Sequence, residues 1–142
     1  MQPFHLAIPV NDLKKADEFY GVLLGCPKGR SAEKWIDFDF FGHQLSIHLK
    51  PKECIAAKTN EVDGDKVPVR HFGVILEWPE WEKLAARLKK SGYRFIIEQG
   101  VRFQGLPGEQ GTFFLLDPSG NALEFKTFKN IREQLFNPEG EY

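Results

Sequence analysis

The sequence predicts an α+β domain made of two copies of a βαβββ unit, and three observations carry that reading. Short runs with apolar residues at alternate positions, bounded by Gly, Pro and Asp, have the pattern of half-buried strands. Two further stretches switch to helical spacing and stop at a glycine. The events also recur in the same order: the helix-ending glycine comes 20 residues after His5, at Gly25, and 21 residues after His71, at Gly92. A fixed order repeated at similar spacing is an internal duplication.

Residues 4–10 form the first predicted strand, with Phe4, Leu6, Ile8 and Val10 on one face and His5, Ala7 and Pro9 on the other. Asn11 or Asp12 then caps a helix whose stripe is Leu13, Ala16, Tyr20 and Leu23, with Phe19 and Leu24 beside it. Strands follow at 35–41 and 44–49, turning at Gly42 and His43. The second copy opens at 70–76, where His71, Gly73 and Ile75 share a face. Its helix places Pro79 in the first turn, carries Trp81, Leu84, Ala85 and Leu88 on its apolar stripe, and ends at Gly92. Strands are expected at 94–98, 112–116 and 122–127, with a long Gly-rich loop over 100–111. A short helix through Ile131, Leu135 and Phe136 follows. The expected organisation is a single domain over 1–142: a first module at 3–49, a polar connection at 50–68, a second module at 69–128 and a tail at 129–142.

Composition removes several classes of function. With 19 basic and 20 acidic residues the chain has a formal net charge of -1, and its cations are scattered, so it has no field to draw a phosphate backbone and nucleic acid is not an expected partner. No apolar run approaches the ~20 residues that span a bilayer, and Met1 to His5 do not begin a secretory leader. No membrane association is expected, and the expected compartment is the cytoplasm. Cys26 and Cys54 lack the spacing of a redox or zinc motif and read as reduced thiols. A chain of 142 residues buries enough surface to fold without metal, so a metal held here serves function.

The second face of each strand points to a metal. Opposite the apolar rows lie His5 with Ala7, His71 with Gly73, Glu124 with Ala122 and Lys126, and Gln44 with Ser46 and His48. A single histidine on such a face is commonly a solvated side chain. His5 and His71, however, hold the same place in two copies of one unit, and the last strand of the second copy adds Glu124. Two imidazoles and one carboxylate suit Fe(II), Mn(II), Ni(II) or Zn(II) and leave coordination positions open. The small Ala7 and Gly73 read as space left above the sheet for a bound substrate.

These residues, together with Asp12, Phe19-Tyr20, Leu24-Gly25 and above all Asp117-Pro118-Ser119-Gly120-Asn121-Ala122-Leu123-Glu124-Phe125, resemble the vicinal oxygen chelate superfamily. That superfamily includes glyoxalase I, the bleomycin and fosfomycin resistance proteins and the extradiol dioxygenases. The resemblance spans about residues 4–128. It implies paired βαβββ modules curled into an open, cup-shaped mixed sheet around a divalent metal, with His5, His71 and Glu124 as ligands. It also implies a small-molecule substrate and a homodimer.

Within the superfamily, glyoxalase-like members place a fourth, carboxylate ligand on the last strand of the first module, where this chain has Ser46. His48, two residues on, fits either a displaced fourth ligand or, by its order in the sequence, the acid-base histidine of extradiol dioxygenases. The implied function is therefore extradiol-like dioxygenation of a substrate that chelates through two oxygens, with Fe(II) as the favoured metal and His48 as the catalytic base. One alternative is a glyoxalase-like lyase or isomerase working through a metal-bound enediolate. The other is a drug-binding resistance protein without catalysis. Phe114 stands where extradiol enzymes have a tyrosine and cannot hydrogen-bond a phenolate. Arg102, Glu109 and Gln110 of the long loop, with Phe114, are the expected substrate contacts. His43 reads as a turn residue, and Trp35, Trp78 and Trp81 as packing residues.

Overall fold

The computed structural model describes residues 1–62 and 64–138. The chain divides into two compact units, one of residues 1–56 and 116–121, the other of 57–115 and 122–142. The last four residues of the expected tail at 129–142 lie outside the described residues.

In the first unit, β1 (His5–Val10) runs parallel to β4 (His43–Leu49), which is antiparallel to β3 (Trp35–Phe40), followed by β2 (Lys28–Ala32), in the order β1-β4-β3-β2. The register places Ala7 beside Ser46 and Ser46 beside Asp37. Ile8, Val10, Leu45, Ile47, Phe38 and Phe40 form the buried face, as the alternation requires. Phe4, expected to extend that row, is 64% exposed because it precedes the strand. Every residue of β2 is exposed, so it carries no apolar alternation and is not legible in the sequence.

The helix α1 (Leu13–Asp17) is capped by Asp12, whose carboxylate accepts from the Lys15 amide at 3.0 Å. It continues as a π-helical turn over Glu18–Leu23, with the Leu24 amide reaching back to the Phe19 carbonyl. That wider turn shifts the apolar stripe by one position. Ala16, Phe19, Tyr20 and Leu24 are therefore buried, whereas Leu23, read from a uniform helix, is only partly so. Tyr20 donates its hydroxyl to Asp117 at 2.8 Å. The Asp117 carboxylate also accepts from the amides of Ser119 and Asn121, which fixes the 117–121 turn.

In the second unit, β7 (Phe95–Arg102), β8 (Gln110–Leu116) and β9 (Ala122–Phe128) form a sheet in that order. Its apolar side receives α2 (Trp78–Lys90), which buries Trp81, Leu84, Ala85 and Leu88 as its spacing predicts. Phe113 is enclosed by Trp81 and Phe125, with ring centroids at 5.8 and 5.3 Å, and the Trp81 indole donates to the Phe125 carbonyl at 2.9 Å. Truncating a ring held this way costs about 3 to 5 kcal/mol. A short α3 (Ile131–Gln134) follows, capped by Asn130.

Three expectations need correction here. The stretch 70–76 is not a continuous strand: it touches β9 at two isolated bridges, Phe72 to Leu123 and Ile75 to Lys126. The polar connection contains an antiparallel hairpin, β5 (Lys58–Val62) with β6 (Asp65–Val69), exposed along the whole of β5 and so without alternation. The Gly-rich loop is shorter than expected, 103–109 instead of 100–111, since β7 runs to Arg102 and β8 starts at Gln110.

Candidate metal centre

His71 and Glu124 meet within the second unit. The parallel bridges beside β9 hold the His71 segment against the strand that carries Glu124. The His71 Nε2 lies 3.0 Å from the Glu124 Oε2, and the His71 Nδ1 lies 2.5 Å from the Pro68 carbonyl oxygen, which accepts its proton. The second Glu124 oxygen accepts from the Thr112 hydroxyl at 2.7 Å. Glu124 is 9% exposed and His71 keeps one edge open to solvent.

Glu124 feels opposing influences. Burial pushes its carboxyl up, but the hydrogen bonds from His71 and Thr112 and the charge of Lys126 together hold it below the usual carboxylate range. The bond to Glu124 raises the His71 imidazole above its ordinary value, against the opposing effect of burial.

This pair fits a divalent metal. With Nδ1–H committed to Pro68, the neutral ring presents its Nε2 lone pair to a carboxylate oxygen. Two lone pairs approach to 3.0 Å only with a proton or a cation between them. Ligands about 2.1 Å from one ion and at right angles to each other lie about 3.0 Å apart. A carbonyl on the far nitrogen and a hydroxyl on the far carboxylate oxygen are the outer partners that orient metal ligands.

The remaining expected site residues take different places. His5 is exposed at the start of β1 in the first unit, and among the described residues no group of three or more His, Cys, Asp or Glu side chains is gathered as a metal site. His48 is exposed on β4, between Pro9 and Trp35 in register. His43 accepts from the Phe4 amide at 2.9 Å through Nδ1, a structural role in keeping with its place at the turn.

Two of the expected substrate contacts have partners within the protein. Arg102 is buried, with its guanidinium donating to the Val62 carbonyl at 2.7 Å and to Asp65 at 2.8 Å, so it fastens the hairpin to β7. Glu109 accepts from the Gly105 amide and pairs with Lys129, and these bonds hold its carboxyl below the usual range. Phe114 is buried with its ring edge-on to His71 at 5.1 Å. Gly73 does not leave space above the sheet: a Cβ there would sit 1.6 Å from the Glu124 carbonyl oxygen, so glycine is needed for close backbone approach.

Asp37 was missed by the sequence reading. It is 6% exposed and accepts from Ser46 at 2.5 Å and from Gln44 at 3.1 Å, with Arg30 at 3.4 Å. A hydroxyl thus serves a buried carboxylate on the neighbouring strand in both halves, with the carboxylate on β3 in the first and on β9 in the second. The signal was available, because alternation along β3 puts Asp37 on the face shared by Gln44 and Ser46.

The βαβββ order of elements in the chain defines the class of protein by its fold. The chain belongs to the Glyoxalase/Bleomycin resistance protein/Dioxygenase superfamily, whose profile matches residues 2–125. It is similar to a glyoxalase/bleomycin resistance protein/dioxygenase of Alicyclobacillus acidocaldarius, with 39% identity, 93% of this chain and 95% of that one covered, and a TM-score of 0.78. Two more distant structures share the fold. The fosfomycin resistance protein FosX of Listeria monocytogenes has 19% identity, 94% and 98% coverage and a TM-score of 0.67. Lactoylglutathione lyase of Agrobacterium tumefaciens has 17% identity, 94% and 95% coverage and a TM-score of 0.62. Comparison with curated proteins gives no match. Among the described residues no helix is long and apolar enough to cross a membrane.

Proposed function

We propose that this protein is a divalent-metal-dependent enzyme acting on a small molecule that chelates through two neighbouring oxygens, with His71 and Glu124 as ligands and His5 as the third. The observation that carries the reading is the 3.0 Å approach of the His71 Nε2 to a Glu124 oxygen, with the far side of each group already satisfied. When bound, the ion supplies Lewis-acid polarisation of the substrate oxygens and, as Fe(II), electrons for oxygen chemistry. Glu124 is preorganised by Thr112, and His71 is held to one tautomer by Pro68, so neither needs to reorganise to bind.

The three-ligand set with open positions favours a dioxygenase, with Fe(II) as metal and His48 as the base that takes a substrate proton. The apolar Phe114 beside His71 implies a substrate that asks for no hydrogen bond at that point. A second reading, lyase or isomerase chemistry, is favoured by Asp37, which gives the first half a buried carboxylate in place of the one absent at Ser46. The single-domain organisation, a homodimer and a cytoplasmic location complete the proposal.

The test is reconstitution of chelator-free protein with Fe(II), Mn(II), Ni(II) or Zn(II). Each preparation is then assayed for oxygen uptake with a catechol panel and for turnover of a glutathione hemithioacetal. Oxygen uptake confined to the Fe(II) form selects the dioxygenase, and hemithioacetal turnover with Ni(II) or Zn(II) selects the lyase. Failure of His71→Ala and Glu124→Ala to lower metal stoichiometry rules out the metal centre, and tight drug binding by metal-free protein then identifies a resistance protein.

A further inference from the structure

The β8 strand divides its side chains cleanly. A Cβ on Gly111 would meet the Trp81 ring, and Phe113 stacks on Trp81, so these two face α2. Gln110, Thr112 and Phe114 therefore face the opposite way. Thr112 there touches Glu124 and Phe114 touches His71, which makes Gln110 the third member of the row that borders the candidate metal centre.

Gln110 differs from its neighbours in one respect. It is only 7% exposed, yet its Oε1 has no hydrogen-bond partner. Arg102, which lies beside it in register, spends its guanidinium on Val62 and Asp65. Among the described residues the Thr127 hydroxyl is also a buried acceptor without a partner, but it belongs to a fully enclosed residue whose methyl abuts Gly111 on the α2 side. A buried amide oxygen without a donor is a cost to the fold, and a donor supplied by a ligand removes it.

We propose that Gln110 is a specificity-determining residue whose Oε1 accepts a hydrogen bond from an O–H or N–H group of the substrate. Two residues of strand separate Gln110 from Thr112, about 7 Å. The donor it reads therefore lies several bonds away from the chelating oxygens, and the substrate class is an oxygen chelator with a hydroxyl or amide donor at that remove. The inference rests on the metal-centre reading, with His71 and Glu124 holding the ion.

The test uses the full chain loaded with Mn(II) and two probes that differ in one donor, 3-hydroxybenzohydroxamic acid and its 3-methoxy analogue. Affinities are measured by calorimetry for the wild type and for Gln110→Met. The ratio of hydroxy to methoxy affinity is expected to be about five-fold higher in the wild type than in the variant. Gln110→Met should bind the methoxy probe as the wild type does, and its metal-free form should melt no lower. An unchanged ratio with normal metal binding overturns the role of Gln110 alone, and a lowered melting temperature with an unchanged ratio assigns it to structure. Wild-type protein that binds no Mn(II) overturns the metal centre and this inference with it.

Discussion

Gly73 passes so close to Glu124 that a methyl group on it would lie 1.6 Å from the Glu124 carbonyl oxygen and 2.7 Å from the carbonyl carbon. The obstruction is backbone, not the end of a flexible side chain, so the 71–76 segment must move away from β9 for any larger residue to fit. Gly73→Ala is expected to cost about 3 kcal/mol or more. It should also separate His71 from Glu124, so metal affinity falls along with the urea midpoint. An alanine variant with an unchanged midpoint and unchanged metal affinity contradicts the close approach.

Thr112 provides the hydroxyl that satisfies the Glu124 oxygen turned away from His71. Thr112→Val keeps the shape and removes the donor, leaving a buried carboxylate oxygen unmatched. The expected loss is about 1 to 3 kcal/mol in the metal-free protein. A ten-fold or greater weakening of metal affinity should accompany it, as for other groups that orient metal ligands. Thr112→Ser, which retains the hydroxyl, should recover most of the affinity, an outcome a purely packing role for Thr112 would not give.

How much of this was legible in the sequence depended on whether burial left a pattern. The α2 stripe of Trp81, Leu84, Ala85 and Leu88 reads directly, because one face of a regular helix is covered by a sheet. The exposed strands β2 and β5 have no buried face and hence no alternation to read. The π-helical turn defeated the assignment of Leu23, since 3.6-residue spacing assumes a uniform helix. The duplication singled out His5 and His71, and alternation along the last strand added Glu124 to them. Asp37 was not, because the comparison of halves was made at Ser46, on the last strand, while the carboxylate sits one strand over. The partners of Arg102 and Glu109 were out of reach for a different reason. Each is tied to a segment distant in sequence or to a loop amide that no motif announces.

The His71–Glu124 pair gives the metal-free protein a pH dependence with a definite sign. His71 is raised above 6.5 in the folded state, so its contribution is complete below 6.5 and is lost as pH rises through the folded value. Glu124 is lowered below 4.5, so its contribution is complete above 4.5 and is lost as pH falls through the folded value. Both are complete between about pH 4.5 and 6.5. Relative to Glu124→Gln, the wild type should therefore gain stability within that window and lose the advantage on either side. The gain should be on the order of 1 kcal/mol, since His71 is partly open to solvent. Urea midpoints of both proteins across the range measure it, and parallel profiles for the two would remove the pair as their source.

Arg102 is the attachment of the β5–β6 hairpin. Its guanidinium is buried, reaches the Val62 carbonyl at the end of β5 and the Asp65 carboxylate at the start of β6, and so grips the hairpin at both sides of its turn. Arg102→Met retains the packed stem and removes both bonds, a loss of about 1 to 2 kcal/mol. Because the hairpin ladder is exposed along β5, the loss should be local: amides of 58–62 and 65–69 should exchange faster, while those of β8 and α2 keep their protection. Asp65→Asn, which removes the ion pair but spares the bond to Val62, should give a smaller effect of the same kind. Uniform loss of protection across β7, β8 and α2 in Arg102→Met would instead make Arg102 a core residue of the second unit.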